Sequence, residues 1–475
     1  VQLDSRLLQQ GDLFLACFGR NHDARNYIDQ AIVSGCCAIL VESGSDWQGI
    51  QLRDAVPIIA IDNLHAKISE ISGRFFGHPS KKLNVIGITG TNGKTSCSQF
   101  LSQTLTALGY KCGVIGTLGY GISGELQETQ LTTPDAVFTQ SALARMHCEG
   151  INPIAMEVSS VGLHQKRVSS VLFDTAIFTN LTRDHLDYHE TMEAYGENKK
   201  KLFMMPGLKT AIVNLDDTFA LSIINSVSSD VEILTYSLEN KIASVFAESL
   251  ELTRNGFRAK ICTPIGIGEI TGKLIGYFNF SNVLAVLTAL INYLPRHSGI
   301  NIDSICQKIS ELQPVDGRME IIGGSEEITV VVDYAHTPDG LCGALTALKD
   351  HFSGQIWCIF GCGGNRDKGK RPLMGEIAEK HSSQIVITDD NPRNEEGDDI
   401  VQHILSGISW KENIKIIRDR AKAISYAIRQ AKAGDVVLVA GKGHETYQDI
   451  AGIRNIFSDA KQVRVALQER EGKGR

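Results

Sequence analysis

Val85-Ile86-Gly87-Ile88-Thr89-Gly90-Thr91-Asn92-Gly93-Lys94-Thr95 is the stretch on which the reading of this chain turns. The short β-branched run Val85–Thr89 predicts a buried strand. Gly90 to Gly93 is a glycine loop, and a helical pattern opens at Lys94. Backbone N–H groups in such a loop point at phosphate, and the following helix N-terminus favours an anion. Lys94 would reach outer phosphates, and the Thr95 hydroxyl would ligate Mg²⁺. The strict phosphate-loop pattern needs glycine at position 88, which is Ile88, so the loop is a variant anchored by Gly90 and Gly93. The bland alternative is a glycine-rich turn without a ligand.

Outward from this loop, short apolar runs alternate with helical patterns. Strands are expected at Asp12–Phe18, Cys37–Glu42 and Val56–Ile61, with a helix at Tyr27–Ser34. Others follow at Lys111–Ile115, Pro153–Val158, Thr175–Thr179 and Thr210–Asn214, and Val283–Leu294 reads as a buried helix. Beyond the turn-rich Gln313–Gly317 come strands at Thr329–Asp333, Gln355–Phe360, Gln384–Thr388 and Asp435–Ala440. Alternating strand and helix predicts α/β layers with parallel, doubly wound sheets, whose strand carboxyl ends carry ligands. The polar joint at Lys81–Asn84 and the Gln313–Gly317 break divide the chain into 1–82, 83–313 and 314–475. A length of 475 residues is consistent with about three domains. The polar C-terminal Glu469–Arg475 is expected to fray.

Composition narrows the class. Hydrophobic residues make up 43% and charged residues 21%, ordinary globular values. The net charge of −7, from 47 basic and 54 acidic side chains, argues against a dedicated nucleic-acid binder. No apolar run approaches the ~18 residues needed to span a bilayer. The 11 cysteines are scattered without paired CxxC spacing, which predicts a reduced, cytoplasmic protein.

Three further features bear on chemistry. Glu157 ends the strand at Pro153–Val158, where a carboxylate can hold Mg²⁺ or merely cap a turn. Phe178 to His189 is dense in polar groups at another strand end. His185 and His189, four apart, admit a zinc pair, but a single His beside a Mg²⁺ site fits the phosphate-loop context better. A solvated loop is the bland reading. In Met192–Phe203, residues Met192, Tyr195, Lys199, Leu202 and Phe203 share one helix face. Lys199 therefore lies in an apolar stripe. It either snorkels to solvent within a basic run or is buried, and a buried amine can take up CO₂ as an anionic, metal-ligating carbamate.

Taken together, these residues resemble the ATP-dependent Mur ligases of peptidoglycan synthesis, and within them the MurE-type, tripeptide-forming branch. The resemblance rests on Gly87–Thr95, Thr132-Thr133-Pro134, Met156–Ser160, Gly162–Arg167, Phe178–His189, Tyr195–Phe203, Tyr277–Asn282, Gly317–Glu320, Asp333–Asp339, Asp390–Arg393 and Gly441–Glu445. It implies three domains: a small N-terminal α/β domain for UDP, a central ATPase-type domain and a Rossmann-like C-terminal domain. The implied reaction is ATP-driven amide formation on UDP-N-acetylmuramoyl-L-alanyl-D-glutamate through an acyl phosphate, by a cytoplasmic monomer. Gly90, Thr91, Asn92, Gly93, Lys94 and Thr95 would cradle ATP. Asn279, Asn282, Arg318 and Asp333 would contact adenine and ribose, and His336 the γ-phosphate. Thr95 and Glu157 would hold one Mg²⁺, and His185 with carbamylated Lys199 would serve a second. Thr132, Thr133, Ser159, Gln165 and Arg167 match residues holding the sugar dipeptide, and Ser5 with the Arg20–Asn21 loop matches the uracil side.

The branch is distinguished by Asp390-Asn391-Pro392-Arg393. Read blandly, it starts a turn. Read functionally, Arg393 offers a planar fork to a carboxylate and repels an ammonium. meso-Diaminopimelate carries a second amino-acid head there, and L-lysine only an ammonium. Arg366 matches a second carboxylate contact, and Asp390, Asn391, Gly441 and Glu445 match the rest of that pocket. A lysine-adding ligase, a folylpolyglutamate synthetase and a non-catalytic nucleotide-binding module are the competing readings.

Overall fold

The protein, described from a computed structural model, is defined over residues 1–19, 23–294, 300–324, 328–410 and 412–473. Among the described residues, three α/β sheets and one hairpin organise the chain. The first sheet holds β1 (Leu13–Ala16), β2 (Ala38–Glu42), β3 (Ile50–Arg53) and β4 (Val56–Ile61) in the order β1-β2-β4-β3. Only β3 runs antiparallel to its neighbour. This unit docks through helix Leu64–Phe75, where Leu64 and Ile68 share a buried cluster with Ala136 and Val137.

The second sheet contains β5 (Val85–Thr89), β6 (Gly113–Gly116), β7 (Gly119–Ile122), β8 (Ile154–Glu157), β9 (Thr175–Phe178), β10 (Thr210–Asn214), β11 (Glu232–Ser237), β12 (Val245–Thr253), β13 (Gly256–Thr263) and β14 (Gly266–Gly272). Its order is β14-β13-β12-β11-β10-β9-β5-β8-β6-β7. Sequence patterning did not register the antiparallel β12–β14 extension, because its strands alternate exposed and buried residues and lack continuous apolar runs. β5 is buried at every residue and lies between β8 and β9. Gly87 is required within it, because a Cβ there would lie 2.7 Å from the Phe173 ring. The chain runs to β8 on one side of β5 and to β9 on the other, which opens a crevice at the β5 carboxyl end.

The expected buried helix at Val283–Leu294 in fact starts earlier, spanning Tyr277–Tyr293. Its polar first turn hides from a hydropathy reading, yet Asn279, Phe280 and Asn282 are buried with the rest.

The third sheet has β15 (Glu320–Gly324), β16 (Thr329–Asp333), β17 (Ile356–Phe360), β18 (Gln384–Ile387), β19 (Ile414–Ile416) and β20 (Val436–Ala440), ordered β15-β16-β20-β17-β18-β19. All pairs except β15–β16 are parallel. A hairpin, β21 (Tyr447–Ile450) and β22 (Ile453–Ile456), follows. Of the tail expected to fray, residues 469–473 instead continue helix Asp459–Lys473, and 474–475 lie outside the described residues. That helix is anchored at its start by a fully buried pair: Arg420 Nε to Asp459 Oδ1 and Arg420 Nη2 to Asp459 Oδ2, each 2.7 Å. Arg420 Nη2 also donates to the Ala440 carbonyl at the end of β20, 2.9 Å away.

Among the described residues no helix is long and apolar enough to cross a membrane, and all 11 cysteines are unpaired. Removing one partner of a buried ion pair strands the other charge, at a cost of about 3–5 kcal/mol. Asp459→Ala is therefore expected to lower stability by about that amount, read as a fall in the urea midpoint of the C-terminal unit. A variant unfolding at the wild-type midpoint would contradict this anchoring role.

Candidate active site

The loop after β5 is clamped by the end of β9. Thr91 N–H donates to the Asn180 carbonyl at 2.9 Å, and Asn92 N–H to Asn180 Oδ1 at 2.8 Å. Thr179 Oγ1 donates to the Asn92 carbonyl at 2.6 Å. Only glycine fits this approach: a Cβ on Gly90 would lie 1.8 Å from Thr179 Oγ1, and one on Gly93 2.4 Å from Asn282 Oδ1. Gly93 has φ +89° and directly precedes helix Lys94–Ala107. Lys94 Nζ folds back onto its own loop, donating to the Gly90 and Thr91 carbonyls, each at 2.8 Å. Withdrawal from solvent lowers its pKa, opposed by Glu157 and Asp184.

Glu157 is fully buried at the end of β8, and Thr95 Oγ1 donates to its Oε2 at 2.9 Å. A turn-capping role for Glu157 does not account for this burial beneath the loop. Lys199 is 1% exposed, so the snorkelling reading is overturned. Helix Met192–Lys200 and the 3-10 turn Lys201–Met204 bury Tyr195, Leu202 and Phe203, and that stripe carries Lys199 inward. Its Nζ donates to the Gly90 carbonyl at 2.6 Å and lies 4.3 Å from the Tyr195 ring centre. Burial, reinforced by Lys94, drives its pKa well below the ordinary lysine value.

The Phe178–His189 segment is no solvated loop either. Asp184 is buried, with its Oδ2 3.3 Å from His185 Nε2 and 3.7 Å from His336 Nε2, and its Oδ1 3.9 Å from Lys370 Nζ. Burial raises the Asp184 pKa, but His336, His185 and Lys370 outweigh it and hold the carboxyl well below its usual range. His185 is lowered to about 4, first by desolvation and then by Lys199 and Lys94. A zinc pair with His189 does not form, since His189 Nε2 faces Ser160 Oγ at 3.0 Å and its Nδ1 faces Asn198.

Five of the residues matched to the sugar dipeptide form one network. Thr133 Oγ1 donates to the Glu157 carbonyl at 2.9 Å and accepts from Ser159 N–H at 2.8 Å. Arg167 donates to the Thr133 carbonyl at 2.7 Å and to Gln165 Oε1 through Nη2 at 2.6 Å. Thr132 joins through Thr117. Ser5 stands apart, in the 3-10 turn Ser5–Leu7, with Oγ 3.4 Å from Gln30 Oε1. The Arg20–Asn21 loop lies outside the described residues.

The C-terminal sheet closes the crevice from the other side. Arg318 lies over the Tyr334 ring at 4.1 Å, and its Nη2 donates to Thr95 Oγ1 at 3.3 Å. Asp333 accepts the backbone N–H groups of Met319 and Ala335 at 2.7 and 2.8 Å. His336 Nδ1 is 2.8 Å from the Tyr334 carbonyl, which leaves Nε2 toward Asp184. Asn279 Nδ2 donates to the Ile275 carbonyl at 2.9 Å, while its buried Oδ1 has no hydrogen-bond partner among the described residues. Arg183 pairs with Asp367 at 3.0 Å, and Asn92 with Asp339 at 3.1 Å.

Loops after β17, β18 and β20 converge in a second cluster. A Cβ on Gly363 would lie 2.8 Å from Arg393 Nη1 and 3.7 Å from Arg366 Cγ, so both arginines flank that glycine. Arg393 Nη1 donates to the Gly364 carbonyl at 2.8 Å. Asn391 Nδ2 donates to Glu445 Oε2 at 2.9 Å, and buried Lys442 donates to Glu445 Oε2 at 2.7 Å and to Asn391 Oδ1 at 3.0 Å. A Cβ on Gly441 would lie 2.6 Å from Asp390 Oδ2. Sequence reasoning assigned no part to Thr117, Asp184, Lys370 or Lys442. Asp184 and Lys442 lie inside quoted motifs; Thr117 and Lys370 carry no local signal.

Two family models match the chain: one described as the Mur ligase middle domain over residues 88–290, the other as the Mur ligase glutamate ligase domain over residues 317–443. The UDP-N-acetylmuramoyl-L-alanyl-D-glutamate–2,6-diaminopimelate ligase of Coxiella burnetii is 45% identical over 471 residues, spanning 98% of this chain and 95% of that one. A solved structure of a ligase bearing the same name superposes with a TM-score of 0.69 at 34% identity, covering 99% and 94% of the two chains. The ADP-bound MurF ligase of Thermotoga maritima shares the fold, with a TM-score of 0.68 at 17% identity over 100% and 98% of the chains.

Proposed function

The chain belongs to the Mur ligase family, and we propose that it joins meso-diaminopimelate to the D-glutamate carboxyl of UDP-N-acetylmuramoyl-L-alanyl-D-glutamate, converting ATP to ADP and phosphate. The observation that carries the amino-acid assignment is the pair Arg393 and Arg366 flanking Gly363, beside the Asp390–Asn391–Glu445 cluster. One end of this arrangement offers guanidinium groups and the other carboxylates. A substrate with an amino acid at each end satisfies both. L-lysine would place an ammonium against Arg393, which its charge opposes.

In this reading the D-glutamate carboxylate attacks the γ-phosphorus of ATP, and the diaminopimelate amine then displaces phosphate from the acyl phosphate. Lys94, Arg318 and the loop N–H groups orient the phosphates. Thr133, Ser159, Gln165 and Arg167 orient the sugar dipeptide, whose acid must reach the phosphate loop. The contacts of Asp184 with His336 and Lys370, and of Arg318 with Thr95, bring the two domains together over the loop and exclude water from a hydrolysable intermediate.

The donor set fits magnesium. Thr95 Oγ1 and Glu157 Oε2 are a hydroxyl–carboxylate oxygen pair beneath the loop, the kind of partial shell Mg²⁺ completes with phosphate and water. An ammonium cannot ligate a cation, but burial lowers the Lys199 pKa, and in its neutral form the amine can form an N–C bond to CO₂ and lose a proton, giving a carbamate. With His185 largely neutral, that carbamate and the imidazole would suit a second Mg²⁺. Bound Mg²⁺ would supply charge neutralisation between two mutually repelling anions.

The direct experiment measures phosphate release from ATP with UDP-N-acetylmuramoyl-dipeptide present and diaminopimelate added or withheld. Turnover that depends on diaminopimelate supports the assignment, whereas turnover with L-lysine alone would refute it. Arg393→Ala should raise the diaminopimelate KM at least tenfold with the ATP KM within about twofold, because it removes a charge-assisted pair; unchanged diaminopimelate kinetics would remove the basis for the pocket. Lys199→Ala should nearly abolish ligation, with partial recovery on adding a short carboxylic acid. Full activity in Lys199→Ala would rule the carbamate out.

A further inference from the structure

Thr117 follows β6 and belongs to none of the matched motifs, yet it touches both halves of the site. Its N–H donates to Glu157 Oε1 at 2.9 Å. Its Oγ1 lies 3.0 Å from Glu157 Oε2 and 3.0 Å from Thr132 Oγ1. A hydroxyl carries one proton, and a carboxylate is the stronger acceptor. Thr117 Oγ1–H is therefore placed to donate to either Glu157 Oε2 or Thr132 Oγ1, and the carboxylate takes the larger share. The result is a relay in which one hydroxyl proton is shared between Glu157 and Thr132. The preceding residue is shaped for it: a Cβ on Gly116 would lie 2.1 Å from Glu157 Oε1, so the backbone wraps the carboxylate only with glycine there.

Glu157 thus receives three donors: Thr95 O–H, Thr117 N–H and Thr117 O–H. If Thr95 Oγ1 turns to a cation, the two Thr117 donors remain to fix the carboxylate's orientation. The far end of the relay, Thr132, is half-buried and stands in the network matched to the sugar dipeptide. A substrate group that accepts the Thr132 proton redirects the chain of hydroxyls and changes how firmly Glu157 is held.

We propose that Thr117 is a positioning residue that couples occupancy of the UDP-sugar-peptide pocket to binding of Mg²⁺–nucleotide at Glu157. The proposal rests on the ligase reading above. Such coupling is reciprocal: each ligand must tighten the other by the same factor.

The test titrates Mg²⁺ into the full chain with a fluorescent, non-hydrolysable ATP analogue, with and without UDP-N-acetylmuramoyl-L-alanyl-D-glutamate. In wild type the UDP-sugar dipeptide should tighten nucleotide binding several-fold. Thr117→Val, similar in shape but without the hydroxyl, should bring that ratio to about one and raise the Mg²⁺ midpoint at least threefold. Thr117→Ser should restore both, which a purely steric role would not do. Thermal unfolding without ligands serves as the fold control. If Thr117→Val fails to fold, Thr117→Ala is read by the same criteria. A ratio and midpoint unchanged in the hydroxyl-free variant, or a serine variant as impaired as valine, overturns the proposal. Wild type that binds neither ligand overturns the ligase reading and the proposal with it; wild type that binds both independently overturns the proposal alone.

Discussion

Two amines converge on one acceptor: Lys94 and Lys199 both donate to the Gly90 carbonyl, at 2.8 and 2.6 Å. Sharing one peptide oxygen crowds the two amines, and burial lowers the pKa of both, that of Lys199 well below the ordinary lysine value. The rest of the crevice is arranged around this crowding. Glu157, at the end of β8, and Asp184, in the segment after β9, oppose the effect of burial on Lys94, and Asp184 does so on Lys199. The fold supplies the constraint: β5 between β8 and β9 brings all three strand ends to one point.

The same charge logic joins the two larger domains. Asp184 belongs to the central unit, but two of the three basic side chains beside it, His336 and Lys370, come from the C-terminal one. Arg318 crosses in the same direction to reach Thr95. A chain of net charge −7 nonetheless gathers Lys94, Lys199 and Arg318 around the glycine loop. Net charge describes the chain as a whole and says little about the field within a cleft.

Much of this architecture was legible in the sequence, where local pattern and three-dimensional role coincide. Val85–Thr89 is a buried strand, and Gly90–Thr95 forms the loop and helix start its spacing suggested. The Met192–Phe203 stripe placed Lys199 on the apolar face, although periodicity alone could not distinguish burial from snorkelling. That distinction depends on what packs against the helix. Thr117 and Lys370 were invisible for the same reason. Each acquires its partners from residues far away in the chain, Thr117 from Glu157 and Lys370 from Asp184. Lys442 stood inside a recognisable motif, but its bond to Asn391 spans 51 positions. The antiparallel extension β12–β14 escaped because half its side chains face solvent.

Arg393 adopts φ +51°, a left-handed conformation costing a non-glycine residue of order 1–3 kcal/mol. The backbone is held there by the β21–β22 hairpin: Arg393 N–H donates to the Asp449 carbonyl at 3.0 Å, and Ala451 N–H donates to the Arg393 carbonyl at 2.7 Å. The guanidinium therefore inherits its aim in part from a ten-residue hairpin, which also holds Asn391 through the Asp449 N–H at 2.9 Å and the Asp390 carbonyl through Gln448 at 2.8 Å. Replacing the side chain alone leaves a strained turn with nothing to present, and replacing the hairpin alone releases the turn. Under the proposed amino-acid assignment, selectivity would rest on a side chain and a hairpin together, so a change in one would have to be matched in the other.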